Sequence, residues 1–142
     1  MIVPDVNLLL YATVDGFAQH DAARAWWETA LNADEEVGLG GPALFGFIRL
    51  VTNPRVFDAP MTVESALGVV EGWLARPQVL FLLPGPRHLE IVFRVLRKLG
   101  TAANLTTDAQ LAALAIEYQA QLFSNDTDFG RFDGLRWVNP LR

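Results

Sequence analysis

Short apolar runs alternate with amphipathic stretches along the whole chain, and that alternation admits few folds. The runs are Ile2-Val3-Pro4, Val37-Gly38-Leu39, Val79 to Leu83, Gln121-Leu122-Phe123 and Arg136-Trp137-Val138. Between them lie segments with apolar residues at three- and four-residue spacing, the pattern of helices packed on one side. Val6 to Ala12, with Asp5 as its N-cap, makes the first helix. His20 to Leu31 makes the second, with Ala22, Ala25, Trp26 and Thr29 on one side. Pro42 opens a third that runs through Val51, before Asn53-Pro54 breaks the backbone out of helical geometry. Thr62 caps a fourth, with Val63, Ala66, Leu67, Val70 and Leu74 in register. Val79 to Leu83 has the character of a strand buried on both faces.

A further helix covers Arg87 to Leu99, with Leu89, Val92, Phe93, Leu96 and Leu99 inward and Gly100 past its end. Thr107-Asp108-Ala109-Gln110 has the form of a capping box before the apolar stretch from Leu111 to Ile116. Asp126 to Phe132 reads as a loop with a short helical turn. Strands separated by helices pair in parallel, because each crossover returns the chain to the same end of the sheet. The expected fold is therefore α/β: a three-layer α/β/α sandwich with a central parallel sheet of four to five strands. Residues 1–142 are expected to form one domain.

In such a sheet the carboxyl ends of the strands open onto one edge, where ligands bind. Four aspartates fall where the chain leaves a strand or enters a helix: Asp5, Asp108, Asp126 and Asp128. Each has an ordinary explanation when taken singly. Asp5 and Asp108 serve as helix caps or first-turn acids, and Asn-Asp-Thr-Asp is turn chemistry. A cap, however, needs no partner across the fold. Carboxylates gathered on one edge repel one another unless protons or a cation compensate, so a divalent metal is the leading expectation. Asn7, two residues beyond Asp5, either starts the helix or orients Asp5 or a metal-bound water through its amide.

Composition narrows the choice of metal. The chain has no cysteine, which excludes disulfides, thiolate chemistry and zinc–sulfur sites. His20 and His88 are the only histidines, too few for a multi-histidine site. Oxygen ligands remain, and they suit Mg²⁺ or Mn²⁺. A net charge of −5 argues against a nucleic-acid partner at first sight, but the four aspartates carry four of those charges. No signal-like segment opens the chain, and Val79 to Leu83 is too short to cross a bilayer. The expectation is a cytoplasmic protein with no membrane partner.

Other residues invite two readings. Arg87, Arg94 and Arg97, with Lys98, lie nearly on one helix face and would track a phosphate backbone. Glu90 stands four residues before Arg94, which favours ordinary surface pairing on a solvated face. His20 and His88 are assigned to the surface. Trp26, Trp27, Trp73 and Trp137 read as core or interface anchors rather than base-stacking platforms. Gly40-Gly41-Pro42 lacks the lysine and spacing of a phosphate loop.

Asp5-Val6-Asn7, Thr107-Asp108-Ala109 before its Ala/Leu helix, and Ser124-Asn125-Asp126-Thr127-Asp128-Phe129 together resemble the PIN-domain nucleases. Within them the chain is most similar to the VapC toxins of bacterial toxin–antitoxin pairs. The likeness extends over the chain, through Gly46-Phe47-Ile48-Arg49, Thr52-Asn53-Pro54-Arg55-Val56-Phe57 and Phe132-Asp133-Gly134-Leu135-Arg136-Trp137. It implies a magnesium-dependent endoribonuclease, with Mn²⁺ as a substitute, that acts on RNA, forms homodimers and is held inactive by a cognate VapB antitoxin. It also implies that Asp5, Asp108 and Asp126 hold the metal, with Asp128 adding a carboxylate. One departure concerns the third helix, where the family commonly has a glutamate. Ala43 to Ile48 contains no acid, and Gly46 stands in that place. The expectation is therefore one firm metal site, with the second lacking its glutamate.

Two rivals follow from the residues. A PIN-like module that has lost hydrolysis would still bind RNA or antitoxin, and the missing glutamate motivates it. A phospho-accepting domain would also place an aspartate after its first strand. Asn7 stands where that chemistry wants a second aspartate, and the only lysine, Lys98, belongs to an amphipathic helix.

Overall fold

β1 (Ile2–Pro4) lies at the centre of a five-stranded sheet, with β2 (Val37–Gly40) on one side and β4 (Gln121–Phe123) on the other. β3 (Val79–Leu82) and β5 (Arg136–Val138) form the two edges, giving the order β3-β2-β1-β4-β5. A computed structural model describes residues 1–142. All four strand pairs are parallel, with Ile2 opposite both Val37 and Gln121. α1 (Val6–Thr13) and α2 (His20–Asn32) connect β1 to β2. α3 (Gly41–Val51) and α4 (Val63–Leu74) connect β2 to β3. α5 (His88–Leu99) and α6 (Leu105–Glu117) make the long return to β4. Right-handed crossovers put the first four helices on one face and the last two on the other. The three-layer α/β/α arrangement is the one expected from the alternation of elements.

The chain steps outward from β1 to β2 to β3, then jumps back across β1 to β4. The order therefore reverses between β1 and β4, which opens a crevice at their carboxyl ends. Gly40 ends β2 directly beneath α6, where a Cβ would come within 2.7 Å of Leu114. A larger residue there would force the Leu114 and Leu111 side chains to shift. Trp27, Phe47 and Trp73 fill the core of the opposite face, with Trp73 lying 5.5 Å from Trp27 and 4.9 Å from Phe47 between ring centroids.

Several local expectations shift. α2 buries Ala23, Trp27, Ala30 and Leu31 rather than the side bearing Ala22, Ala25 and Thr29. Two adjacent tryptophans cannot both point inward on a helix; Trp27 does, and Trp26 stacks on Phe123 at 5.5 Å. β3 is an edge strand whose Leu80 and Phe81 are exposed, not a strand buried on both faces. In α4, Ala66 and Val70 are buried as expected, while Val63 and Leu74 near its ends are exposed. α5 turns Ile91, Val92 and Val95 inward and leaves Leu89 and Phe93 exposed. α6 begins two residues before Thr107, which makes no capping bond, and Asp108 falls in its first turn. Both histidines are half-buried, and His20 Nδ1 lies 2.7 Å from the Tyr11 carbonyl oxygen.

Candidate active site

Asp5 is the first residue past β1, and its extended backbone makes it the N-cap of α1. Its Oδ1 accepts a hydrogen bond from the Val6 amide at 2.7 Å. Its Oδ2 accepts one from the Ser124 hydroxyl, also at 2.7 Å. Only 6% of Asp5 is exposed, and it and Ser124 are the chain's two buried polar residues. Burial raises the Asp5 pKa above the ordinary carboxylate value. The bonds from Ser124 and Val6 oppose that rise, and the negative charge of Asp126 adds to it.

Ser124 is the first residue past the neighbouring strand β4, across the crevice. Besides donating to Asp5, its Oγ accepts from Asn7 Nδ2 at 3.3 Å and from the Asp126 amide at 2.9 Å. One hydroxyl thus joins three elements: the β1 end, α1 and the loop after β4. The Trp137 indole braces that loop by donating to the Ser124 carbonyl at 3.0 Å. Asp126 then caps the 3-10 turn Thr127–Arg131, its Oδ1 accepting from the Asp128 amide at 2.9 Å. Asp128 projects outward with Arg131 3.9 Å away, an exposed pair worth little.

Asp108 reaches the same crevice from α6. Its pKa is pushed up to about 6, first by burial and then by the charges of Asp5, Asp126 and Asp128. Asp108 thus stands close enough to Asp5, Asp126 and Asp128 to feel their charges. The four do not close into a cage, since no three acidic or histidine side chains converge tightly enough to hold a metal ion among themselves.

The donor set tells what would fit. Every available ligand is oxygen, and the Asn7 Oδ1 is buried without a hydrogen-bond partner. An orphaned acceptor beside mutually repelling carboxylates is a polar arrangement that a hard cation would satisfy. Because the carboxylates stand apart, the match is to an ion that keeps several waters and takes one or two carboxylates directly.

Gly46 on α3 faces α1, and a Cβ there would lie 3.3 Å from Val6 Cγ2, beside the Asp5 cap. No acid reaches the crevice from this helix. Ser124 is the residue that sequence reasoning passed over as part of a motif. A serine two positions before an aspartate, at the end of an apolar strand, was the available signal.

A family model described as the PIN domain matches residues 2–135. Ribonuclease VapC33 of Mycobacterium tuberculosis is 54% identical over 142 residues, covering 100% of this chain and 99% of that protein. Ribonuclease VapC37 of the same organism is 41% identical over 140 residues, covering 99% of this chain and 97% of the relative. Among solved structures, Mycobacterium tuberculosis VapC20, a sarcin–ricin loop cleaving toxin, superposes with a TM-score of 0.69 at 17% identity, covering 96% of this chain and 99% of that one. The VapBC2 complex of Rickettsia felis bound to a promoter DNA fragment gives a TM-score of 0.70 at 17% identity, covering 98% of each chain. At that identity the superpositions speak to fold alone.

Proposed function

The chain belongs to the PIN-domain family, among the VapC ribonucleases, and on that basis we propose that it is a divalent-metal-dependent endoribonuclease, the toxin of a toxin–antitoxin pair. Residues 1–142 act as one nuclease domain, a reading supported by the family match over nearly their whole length. The observation that carries the activity is the convergence at the β1/β4 crevice: four aspartates in one field, and a buried amide oxygen with nothing to bind.

Asp5, Asp108 and Asp126 are the residues that would hold Mg²⁺, or Mn²⁺ in its place, with Asp128 and Asn7 Oδ1 contributing through water. When bound, such an ion stabilises charge on the phosphate and lowers the pKa of the attacking water. The chain's own residues prepare for it. Val6 N–H and the Ser124 hydroxyl fix the Asp5 carboxylate so that it loses no rotamer freedom on binding. Asp126 is held by its cap to the 3-10 turn. The Asp108 pKa is pushed up to about 6, so the carboxylate, the only form that would be a ligand, predominates above that pH.

The same acidic crevice suits inhibition by a VapB-type antitoxin, whose arginine would make charge-assisted bonds to these carboxylates. The protein acts in the cytoplasm as a homodimer. A non-hydrolytic RNA- or antitoxin-binding module is the second reading, and the absence of an acid at Gly46 favours it. RNA cleavage with Mg²⁺ or Mn²⁺ separates the two. The wild-type chain cleaves and Asp5→Asn loses at least ~100-fold in rate, the scale of a residue whose electrostatic stabilisation of the reaction is removed. Wild-type-like cleavage by a cleanly purified Asp5→Asn chain would defeat the assignment.

A further inference from the structure

The exposed side of α5 divides into two strips. Leu89 and Phe93 form an apolar strip, and Arg94, Arg97 and Lys98 form a cationic one. The sequence suggested that Glu90 would pair with Arg94. Instead Glu90 Oε1 lies 3.4 Å from Arg87 Nη2, which leaves Arg94, Arg97 and Lys98 without any ion pair. These three cations line a hollow of about 370 Å³ with Val95 and Asp133, and Asp133 pairs with none of them. In a chain with more acids than bases, four of the eleven Lys and Arg residues fall between positions 87 and 98. Part of this serves the helix itself, because Arg97 and Lys98 sit in its last turn, where cations suit the dipole. Arg94 lies a turn earlier, and its Nη2 reaches across to within 4.0 Å of where a Cβ on Gly134 would stand.

The position of the strip matters as much as its charge. α5 and α6 pack side by side as an antiparallel hairpin joined through residues 100–104. The last turn of α5 therefore lies beside the first turn of α6, which carries Asp108. A strand whose phosphate sits at the aspartates would meet unpaired cations just beyond them. We propose that Arg94, Arg97 and Lys98 form a track for the phosphodiester backbone of RNA flanking the bond to be cut. This rests on the ribonuclease reading above and adds to it where the substrate runs. The track supplies attraction that the acidic crevice lacks, without reading base identity.

The test is the salt dependence of binding, measured by fluorescence anisotropy with a labelled single-stranded RNA of about 20 nucleotides and the full chain in chelator. Each cation neutralising a phosphate contributes roughly 0.7 to the slope of log K against log salt on single strands. The triple variant Arg94→Gln, Arg97→Gln, Lys98→Gln should lose about 2 from that slope. Arg94→Lys with Arg97→Lys should keep the wild-type slope, and so should Arg24→Gln, which removes a cation already paired with Glu28. An unchanged slope in the triple variant overturns the track and leaves the cations to an acidic protein segment or to solvent. A slope lost in the lysine variant also overturns it, since charge would not be the cause. Wild-type cleavage with added Mg²⁺ tests the ribonuclease reading separately. Binding without cleavage, with the slope reduced in the triple variant, would sink that reading and keep the track.

Discussion

Ser124 uses all three hydrogen-bonding positions of its hydroxyl on the groups that define the crevice: Asp5, Asn7 and the Asp126 amide. It leaves Asp108 without comparable support, so that residue answers mainly to burial and like charge. A carboxyl whose pKa rises from 3.8 to about 6 on folding stabilises the native state while protonated. That contribution is complete below pH 3.8 and is lost as pH rises through about 6. In chelator at pH 7.5, Asp108→Asn should therefore be more stable than wild type, by roughly 1–2 kcal/mol after allowing for solvent at this half-buried group. Below about pH 4 the two should unfold alike. Urea denaturation across that range checks it; a less stable Asn variant at pH 7.5 would contradict the shared field.

At the scale of elements, α3 illustrates why burial follows from packing rather than composition. Phe45 and Phe47 are two positions apart, about 200° around the helix. Phe47 is fully buried against Trp73, whereas Phe45 is 61% exposed. Phe47→Ala should cost ~3–5 kcal/mol in thermal or chemical unfolding, while Phe45→Ala changes stability by less than ~0.5 kcal/mol. Equal effects would mean that the helix is rotated. The strands and helices were legible in the sequence because apolar spacing and caps such as Asp5 and Thr62 are local signals. The inward face of α2 and the exposure of β3 were not, because both depend on which neighbours cover them. The aspartates could be read as a set, but the hub at Ser124 required knowing that β4 lies beside β1.

For the whole molecule, the exposed apolar residues carry information about assembly. Phe45 and Phe81 meet edge to face at 6.2 Å, and Leu83, Leu89 and Phe93 are also exposed. Together they supply the kind of apolar surface that a second copy would cover. On the homodimer proposed above, Leu89→Glu with Phe93→Glu should leave a monomer of 15.7 kDa in light scattering while the fold remains intact. A dimer that persists in this variant would place the interface elsewhere. No helix is long and apolar enough to cross a membrane.

On the proposed function, Asp5, Asp108 and Asp126 form a site for one hydrated divalent cation. Thermal unfolding of the chelator-stripped chain against increasing Mg²⁺ or Mn²⁺ tests it most directly. A ligand of the native state adds about 2.7 kcal/mol of stability at 100 times its Kd. The wild-type midpoint should climb with metal concentration, and the Asp5→Asn midpoint should stay flat. A wild-type midpoint indifferent to both metals, or an equal rise in Asp5→Asn, would contradict the account.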